Sequence, residues 1–160
     1  LQSVVFTRSR RSVEIFLKYL QETIPNTSLS PDNDLGGPIR GYRSGYLPGQ
    51  RREIEKGLRS GHTRLVVATN ALELGIDIGS NSSDHISQYD GQNFDYVITL
   101  CGDADDKCPQ FFGGVQRIHI GFDDPPQATG SEEEVMAVYR RVRDEIRRDL
   151  GLFFRQELEG

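Results

Sequence analysis

Short apolar runs, separated by helical patterns, indicate how this chain folds. The runs lie at residues 3–7, 39–42, 64–69, 94–100 and 116–122. Runs that are apolar almost throughout are typical of parallel strands covered on both faces. Strands that alternate with helices form doubly wound domains. We therefore predict a single three-layer α/β domain, with a mostly parallel sheet of about four to five strands and helices on both faces.

Two helices are predicted in the first half of the chain. Residues 13–20 repeat apolar positions every three or four residues, which is the spacing of one helix face. The second helix begins at Pro48, because proline suits the first helical turn. It carries Ile54 and Leu58 inward, and we expect it to end near Gly61.

The longest helix is predicted near the end of the chain. It opens at Ser131, and Glu134 stands where the second residue of a capping box belongs. One apolar stripe runs along it, formed by Val135, Val138, Val142, Ile146 and Leu150. We expect this helix to end or kink near Gly151.

Composition agrees with one ordinary globular domain. The 160 residues have a mass of 18.0 kDa, with 36% hydrophobic residues, 27% charged residues and a mean hydropathy of -0.52. The apolar runs are far shorter than the ~20 residues that a membrane-spanning helix needs, and the first residues lack a signal-peptide pattern. Two cysteines in a chain of this size fit a reducing compartment. We therefore predict a cytoplasmic protein without membrane contact.

Charge divides the chain near Gly79. Residues 1–79 carry 11 Lys and Arg against 8 Asp and Glu, whereas residues 80–160 carry 8 against 16. Such a step reflects either two solvated faces of one domain or two segments of different origin. The overall charge of -5 predicts at most a weak contact with nucleic acid.

The first segment contains two strings with specific family resemblance. The run GYRSGYLPGQRREIEKGLRSGHTRLVVATNALELGIDIG, residues 41–79, resembles the second RecA-like lobe of superfamily 2 DNA helicases, especially the YprA-like group. VVFTRSR at residues 4–10 matches the fourth motif of that family, and ATNALELGIDIG at 68–79 matches its fifth. The resemblance implies that Thr69 and Asn70 lie near the nucleic-acid backbone, and that Gly75 and Asp77 help to couple this contact to the nucleotide. Thr7 and Arg8 are further helicase-like positions.

Two parts of a helicase are absent from this sequence. It contains no P-loop of the form G-x-x-x-x-G-K-[ST] and no Q-x-x-G-R-x-G-R arginine motif. We therefore expect no complete ATP site. The basic residues Arg8, Arg10 and Arg11 are interpreted either as a solvated rim or as a binding site for anions or nucleic acid at the end of the first strand.

The second segment resembles another family. From about residue 75, GIDIGSNSSDHISQYDGQNFDYVITLCGDADDKCP, RIHIGFDDPP and SEEEVMAVYRRVRDEI resemble thioredoxin-coupled arsenate reductases, which have the low-molecular-weight phosphatase fold, a flavodoxin-like architecture. By this resemblance Cys101 and Cys108 match the two cysteines that resolve the oxidised nucleophile, and Asp124 matches the general acid.

The nucleophile of that family has no counterpart here. The family places it in a C-x-x-x-x-x-R-S loop between the first strand and the first helix, where this chain has TRSRRS at residues 7–12. Two interpretations of Cys101 and Cys108 remain open, namely two thiols without function or a reversible disulfide. His119 is expected to be packed or hydrogen-bonded, and no cofactor or metal site is predicted because no zinc-ligand spacing occurs.

The two resemblances meet at the string GIDIG, residues 75–79. We therefore predict one hybrid α/β domain over residues 1–160, with a helicase-lobe-like segment at 1–79 and an arsenate-reductase-like segment at 80–160, joined by deliberate recombination or by natural fusion. The leading hypothesis is a folded chimera without a complete catalytic site. Two alternatives are a redox protein that uses Cys101 and Cys108, and a nucleic-acid-binding lobe fragment. No partner is required, although exposed apolar residues could drive homodimer formation.

Overall fold

A computed structural model describes residues 1–24, 38–69, 94–100 and 116–159. Within these residues the chain forms a parallel sheet. Its strands are β1 (Ser3–Thr7), β2 (Ile39–Tyr42), β3 (Leu65–Thr69), β4 (Tyr96–Thr99) and β5 (Gln116–His119). Strands β4 and β5 are shorter than the runs at 94–100 and 116–122. After β5, the N–H groups of Ile120 and Phe122 still donate to the carbonyls of Thr99 and Leu100.

The strand order is β2-β3-β1-β4-β5, and every pairing is parallel. The predicted α/β class with a parallel sheet is thus confirmed. β1 lies at the centre, with β3 on one side and β4 on the other. This order places β3 between β2 and β1, whereas the flavodoxin order has β1 beside β2. At the centre of the sheet β1, a strand of the first segment, pairs directly with β4, a strand of the second.

Three helices cover the described part of the sheet: α1 (Arg10–Thr23), α2 (Pro48–Arg59) and α3 (Glu132–Glu159). α1 and α3 pack on one face with Val5 and Ile98. α2 packs on the other face with Val4 and Phe6. Helices therefore lie on both faces, as the sequence predicts.

The larger core unites the two segments. Val13 and Phe16 of α1 and Val142 and Ile146 of α3 share one cluster of buried apolar side chains. Burial of such side chains stabilises a fold by roughly 1.5–3 kcal/mol each. Residues of both segments therefore contribute to the same core.

Local signals place the helix ends where the sequence predicts, with one exception. Pro48 opens α2, and Gly61 follows its end with a φ of 75°. At the start of α3, Ser131 and Glu134 form the predicted capping box, with N–H···O distances of 2.7 and 3.3 Å. The expected end near Gly151 is wrong, because α3 continues to Glu159.

The reason for this exception lies in helix packing. Gly151 is buried, and a Cβ built on it would lie 2.7 Å from Cγ2 of Thr23 at the end of α1. Glycine here allows two helices to approach closely, so its role is steric. Leu150 and Phe154 continue the buried stripe on either side of it. No helix in the described ranges is long and apolar enough to span a bilayer.

Candidate functional site

The carboxyl ends of β1 and β4 meet in a small crevice. After β1 the chain crosses to the β2 side of the sheet, and after β4 it continues to β5 on the opposite side. Doubly wound domains bind ligands at such a reversal of strand order. Among the described residues the crevice is lined by Thr7, Arg8, Ser12, Phe16, Leu100, Phe122 and Asp124.

Two serines organise the start of α1 at this crevice. Ser9 is the N-cap, and its Oγ accepts a hydrogen bond from the Ser12 N–H at 3.2 Å. The two hydroxyl oxygens lie 2.7 Å apart. Ser12 Oγ donates to Oδ1 of Asp124 at 2.6 Å. Since a hydroxyl has one proton, Ser9 is the donor to Ser12, and a chain of hydroxyls runs to the carboxylate.

The segment after β5 carries Asp124 to this position. The Phe122 N–H donates to the Leu100 carbonyl at 2.9 Å, which holds the segment over the end of β4. The Phe122 ring packs on Phe16 of α1 with a centroid distance of 6.2 Å. A short 3-10 helix, Pro125–Gln127, then follows, and Gln127 Nε2 donates to Oδ2 of Asp124 at 3.2 Å. Both carboxylate oxygens therefore have a donor within the protein.

Little space remains among these side chains. The cavity measures about 10 Å³, close to the volume that a single water molecule requires. Ser12 is 1% exposed and Thr7 is 1% exposed. The Thr7 hydroxyl lies 3.4 Å from the carbonyl oxygens of both Ser9 and Ala68, so it faces backbone.

The site residues predicted from the sequence, apart from Asp124, fall into three groups. Thr7 and Thr69 are register partners at the ends of β1 and β3, and both are buried. Arg8, Arg10 and Arg11 are exposed around the start of α1. The other predicted positions, Asn70, Gly75, Asp77, Cys101 and Cys108, lie outside the described residues.

A wider cavity of about 390 Å³ lies over β4 and β5. Here Nδ1 of His119 lies 2.9 Å from the Thr99 hydroxyl, which confirms the expectation of a hydrogen-bonded histidine. Arg117 also lines this cavity. Its described lining contains neither a carboxylate nor a thiol, whereas the crevice beside β1 is lined by Asp124.

Sequence reasoning missed Ser9, Ser12 and Gln127. A signal was present for Ser12, because the family loop ends in Arg-Ser and this chain has Arg11 and Ser12 at the corresponding end of TRSRRS. Ser9 could have been proposed as an N-cap from its residue type. Gln127 carries no local signal.

Two family models match the chain. The helicase conserved C-terminal domain matches residues 1–100, and the low molecular weight phosphotyrosine protein phosphatase matches residues 56–159. The matches overlap over residues 56–100, which include the GIDIG string.

Individual relatives follow the same division. An arsenate reductase of Bacillus subtilis is 45% identical over 107 residues, covering 66% of this chain and 76% of the relative. The uncharacterised ATP-dependent helicase YprA of the same organism is 54% identical over 80 residues, covering 49% of this chain and 10% of the helicase. A crystal structure of the helicase MrfA bound to DNA aligns with a TM-score of 0.51 and 34% identity, covering 78% of this chain and 16% of that one. The chain spans only 53–58% of the length of several other bacterial arsenate reductases.

Proposed function

This chain belongs to both the helicase conserved C-terminal domain family and the low molecular weight phosphotyrosine protein phosphatase family, and we propose that it is a folded chimera without a complete catalytic site of either. The observation that carries this proposal is the turn between β1 and α1. Its residues Thr7, Arg8, Ser9 and Arg10 include no thiol. Reduction of arsenate by the related family starts with a thiolate at this place, so every later step lacks its first reactant.

The serine beside Asp124 does not replace that thiolate. Ser12 is 1% exposed, and its hydroxyl proton is directed to the carboxylate 2.6 Å away. A nucleophile needs an approach path for its substrate, with reacting atoms about 3–3.5 Å apart. The small cavity that the described side chains leave beside Ser12, about 10 Å³, supports this view.

The geometry of Asp124 also supports a structural role. A general acid must present its proton to a leaving group within hydrogen-bond reach. Here Oδ1 accepts from Ser12 and Oδ2 accepts from Gln127. These two contacts hold the carboxylate against α1 and the 3-10 helix, where it links the segments of the chain.

The helicase reaction is incomplete within these 160 residues. They contain neither a P-loop nor the arginine motif. The buried Thr7 hydroxyl faces backbone carbonyls. Weak anion or nucleic-acid binding by Arg8, Arg10 and Arg11 remains an alternative proposal, as do homodimer formation and a cytoplasmic location.

The proposal predicts a folded protein without turnover. Arsenate reduction is measured with thioredoxin, thioredoxin reductase and NADPH, and phosphatase activity with an aryl phosphate. The chain and its C101S and C108S variants should show the same background rate, and far-UV circular dichroism should confirm that each is folded.

Two outcomes would count against the proposal. A rate at least about tenfold above that of C101S, equivalent to about 1.4 kcal/mol of barrier lowering, would establish a catalytic thiol. Thiol alkylation with and without reductant tests the redox alternative separately. A change in the number of reactive thiols, lost in C108S, would show a reversible disulfide and favour that function.

A further inference from the structure

The last turns of α3 bury less than the turns before them. With 28 residues α3 is about 42 Å long, whereas a strand of five residues spans about 17 Å. Val142, Ile146 and Leu150 in the middle of the helix are fully buried. Of residues 152–157 only Phe154 is buried. We call residues 152–159, which follow Gly151, the arm.

Gly151 separates the arm from the rest of α3. A glycine inside a helix is less favourable than an alanine, because it loses more backbone freedom on folding. Here a Cβ would meet Cγ2 of Thr23 at 2.7 Å, so the close contact with α1 requires the glycine. The helix is therefore anchored on α1 at this residue but has low intrinsic stability just before the arm.

Tyr96, at the start of β4, holds the arm against the sheet. Its hydroxyl donates a hydrogen bond to Oε2 of Glu157 at 2.6 Å, here called the latch. Its ring meets the ring of Phe153 edge-on, with a centroid distance of 5.0 Å. Phe153 in turn meets Phe154 at 5.2 Å. One tyrosine thus contacts both the polar and the aromatic side chains of the arm.

Without Tyr96, Glu157 would have an unfavourable position in the helix. It lies two residues before the end of α3 at Glu159, and the last turn contains no basic residue. The partial negative charge of a helix end disfavours a carboxylate there. The Tyr96 hydroxyl offsets this cost by donating to the carboxylate. Loss of the latch therefore also weakens the last turn, so that undocking and unwinding of the arm are coupled.

We propose that the arm is a releasable part of the fold, held closed by the latch between Tyr96 and Glu157. Its release uncovers the rings of Tyr96, Phe153 and Phe154, while the sheet and the rest of α3 stay folded. Local opening breaks only the contacts of the arm, so it requires less free energy than global unfolding. The latch shares no residue with the crevice at Asp124, so the inference is independent of the proposed absence of turnover.

Hydrogen exchange measured by mass spectrometry on the full chain tests this proposal. Amides of the arm should exchange at least about tenfold faster than those of β1. Y96F keeps the ring and removes the donor, so it should speed exchange in the arm about two- to tenfold and leave β1 unchanged. Y96F/E157Q should exchange more slowly than Y96F, because it also removes the charge at the helix end. The control Y139F removes a phenol hydroxyl elsewhere on α3 and should leave the arm unchanged.

The titration of Tyr96 provides a second readout. Its hydrogen bond to Glu157, together with burial, holds the pKa of the Tyr96 phenol above its ordinary value of 10.0, and Asp95 acts in the same direction. E157Q should bring this pKa part of the way back, because burial and Asp95 remain. D95N should change it less, since Glu157 is the larger cause. NMR of ring-labelled tyrosine measures both variants.

Four results would overturn the proposal. Equal acceleration of the arm and of β1 in Y96F would show a loss of global stability only. Unchanged exchange of the arm in Y96F would show that the latch does not hold it. An arm that exchanges as slowly as β1 in the unaltered chain would not be a separate unit. If Y96F does not fold, the E157Q titration decides, because a Tyr96 pKa that E157Q leaves unaltered would mean that the latch does not form in solution.

Discussion

The hydroxyl of Ser12 donates a hydrogen bond of 2.6 Å to the carboxylate of Asp124, 112 residues further along the chain. Ser12 lies in the helicase-like segment, and Asp124 lies in the segment that resembles arsenate reductases. The resemblance to arsenate reductases predicts Asp124 as the general acid. In this chain the carboxylate joins the start of α1 to the segment that follows β5.

We expect S12A to lower the free energy of unfolding by about 1–2 kcal/mol, because it removes a donor from a half-buried carboxylate. Urea denaturation measures this loss. S60A is the control, since it removes an exposed hydroxyl that bonds only the Gly57 carbonyl, and it should cost less than about 0.5 kcal/mol. A double-mutant cycle with D124A should give a coupling of at least about 0.5 kcal/mol. If the two substitutions have additive effects on the free energy of unfolding, Ser12 and Asp124 do not stabilise each other, and the proposed link between the segments is wrong.

The close contact between α1 and α3 gives a steric prediction. G151A brings a Cβ to 2.7 Å from Cγ2 of Thr23, so we expect a loss of about 1–3 kcal/mol despite the better helix propensity of alanine. Thr23→Ser removes that methyl group and keeps the hydroxyl that donates to the Tyr19 carbonyl. The double variant G151A/T23S should therefore recover most of the stability.

Gly49 provides the matched control for this steric prediction. A Cβ on Gly49 meets no atom within 4 Å. G49A should be neutral or stabilise the protein by up to about 1 kcal/mol. If G151A and G49A change the melting temperature by the same amount, the space between α1 and α3 accommodates a Cβ at residue 151, and the steric prediction is wrong.

The shared core predicts one cooperative unfolding transition. Ile146 is fully buried in the cluster that contains residues of both segments. I146A should cost about 2–5 kcal/mol. Far-UV circular dichroism, which follows the helices, and tyrosine fluorescence, which follows the tertiary packing, should shift together. Two separated transitions in either protein would contradict a common core.

The capping box of α3 predicts a dependence on pH. Hydrogen bonds from the backbone N–H and side chain of Ser131 hold the pKa of Glu134 below its ordinary value of 4.5. Because the folded pKa is depressed, the stabilising contribution is present above about pH 4.5 and is lost as the pH falls through the folded pKa. NMR titration of the Glu134 carboxyl measures this shift.

A variant separates the capping box from general acid effects. S131A should move the Glu134 pKa part of the way back towards its ordinary value, because it removes the Ser131 hydroxyl and keeps the backbone N–H, whose hydrogen bond is the larger cause of the shift. E133Q removes an exposed carboxylate beside the box and should leave the Glu134 titration unchanged. An unaltered Glu134 titration in S131A would mean that the box does not persist in solution.

Local patterns were sufficient to predict much of the fold. Val13 and Leu20 repeat at helical spacing, and both are fully buried. The same holds for Val142, Ile146 and Leu150 on α3. The burial of these residues can be predicted from their spacing alone, because each helix must bury its apolar stripe.

Non-local contacts could not be predicted in this way. β3 lies between β2 and β1 because of the way the connections between the strands cross over the sheet. The apolar runs in the sequence carry no information about these connections. Gly151 looked like a helix end because glycine often follows one, whereas its actual neighbour is Thr23 on another helix. Asp124 was identified through a family resemblance, but its partner Ser12 depends on how the two segments pack together.

The central place of β1 has a consequence for the order in which the protein forms during translation. β1 leaves the ribosome before one of its two neighbours, β4, which is synthesised only at Tyr96–Thr99. Until then the nascent chain exposes an apolar strand edge that other chains can pair with. Slow elongation before residue 99 should therefore favour aggregation on the ribosome, whereas fast elongation should favour the native sheet.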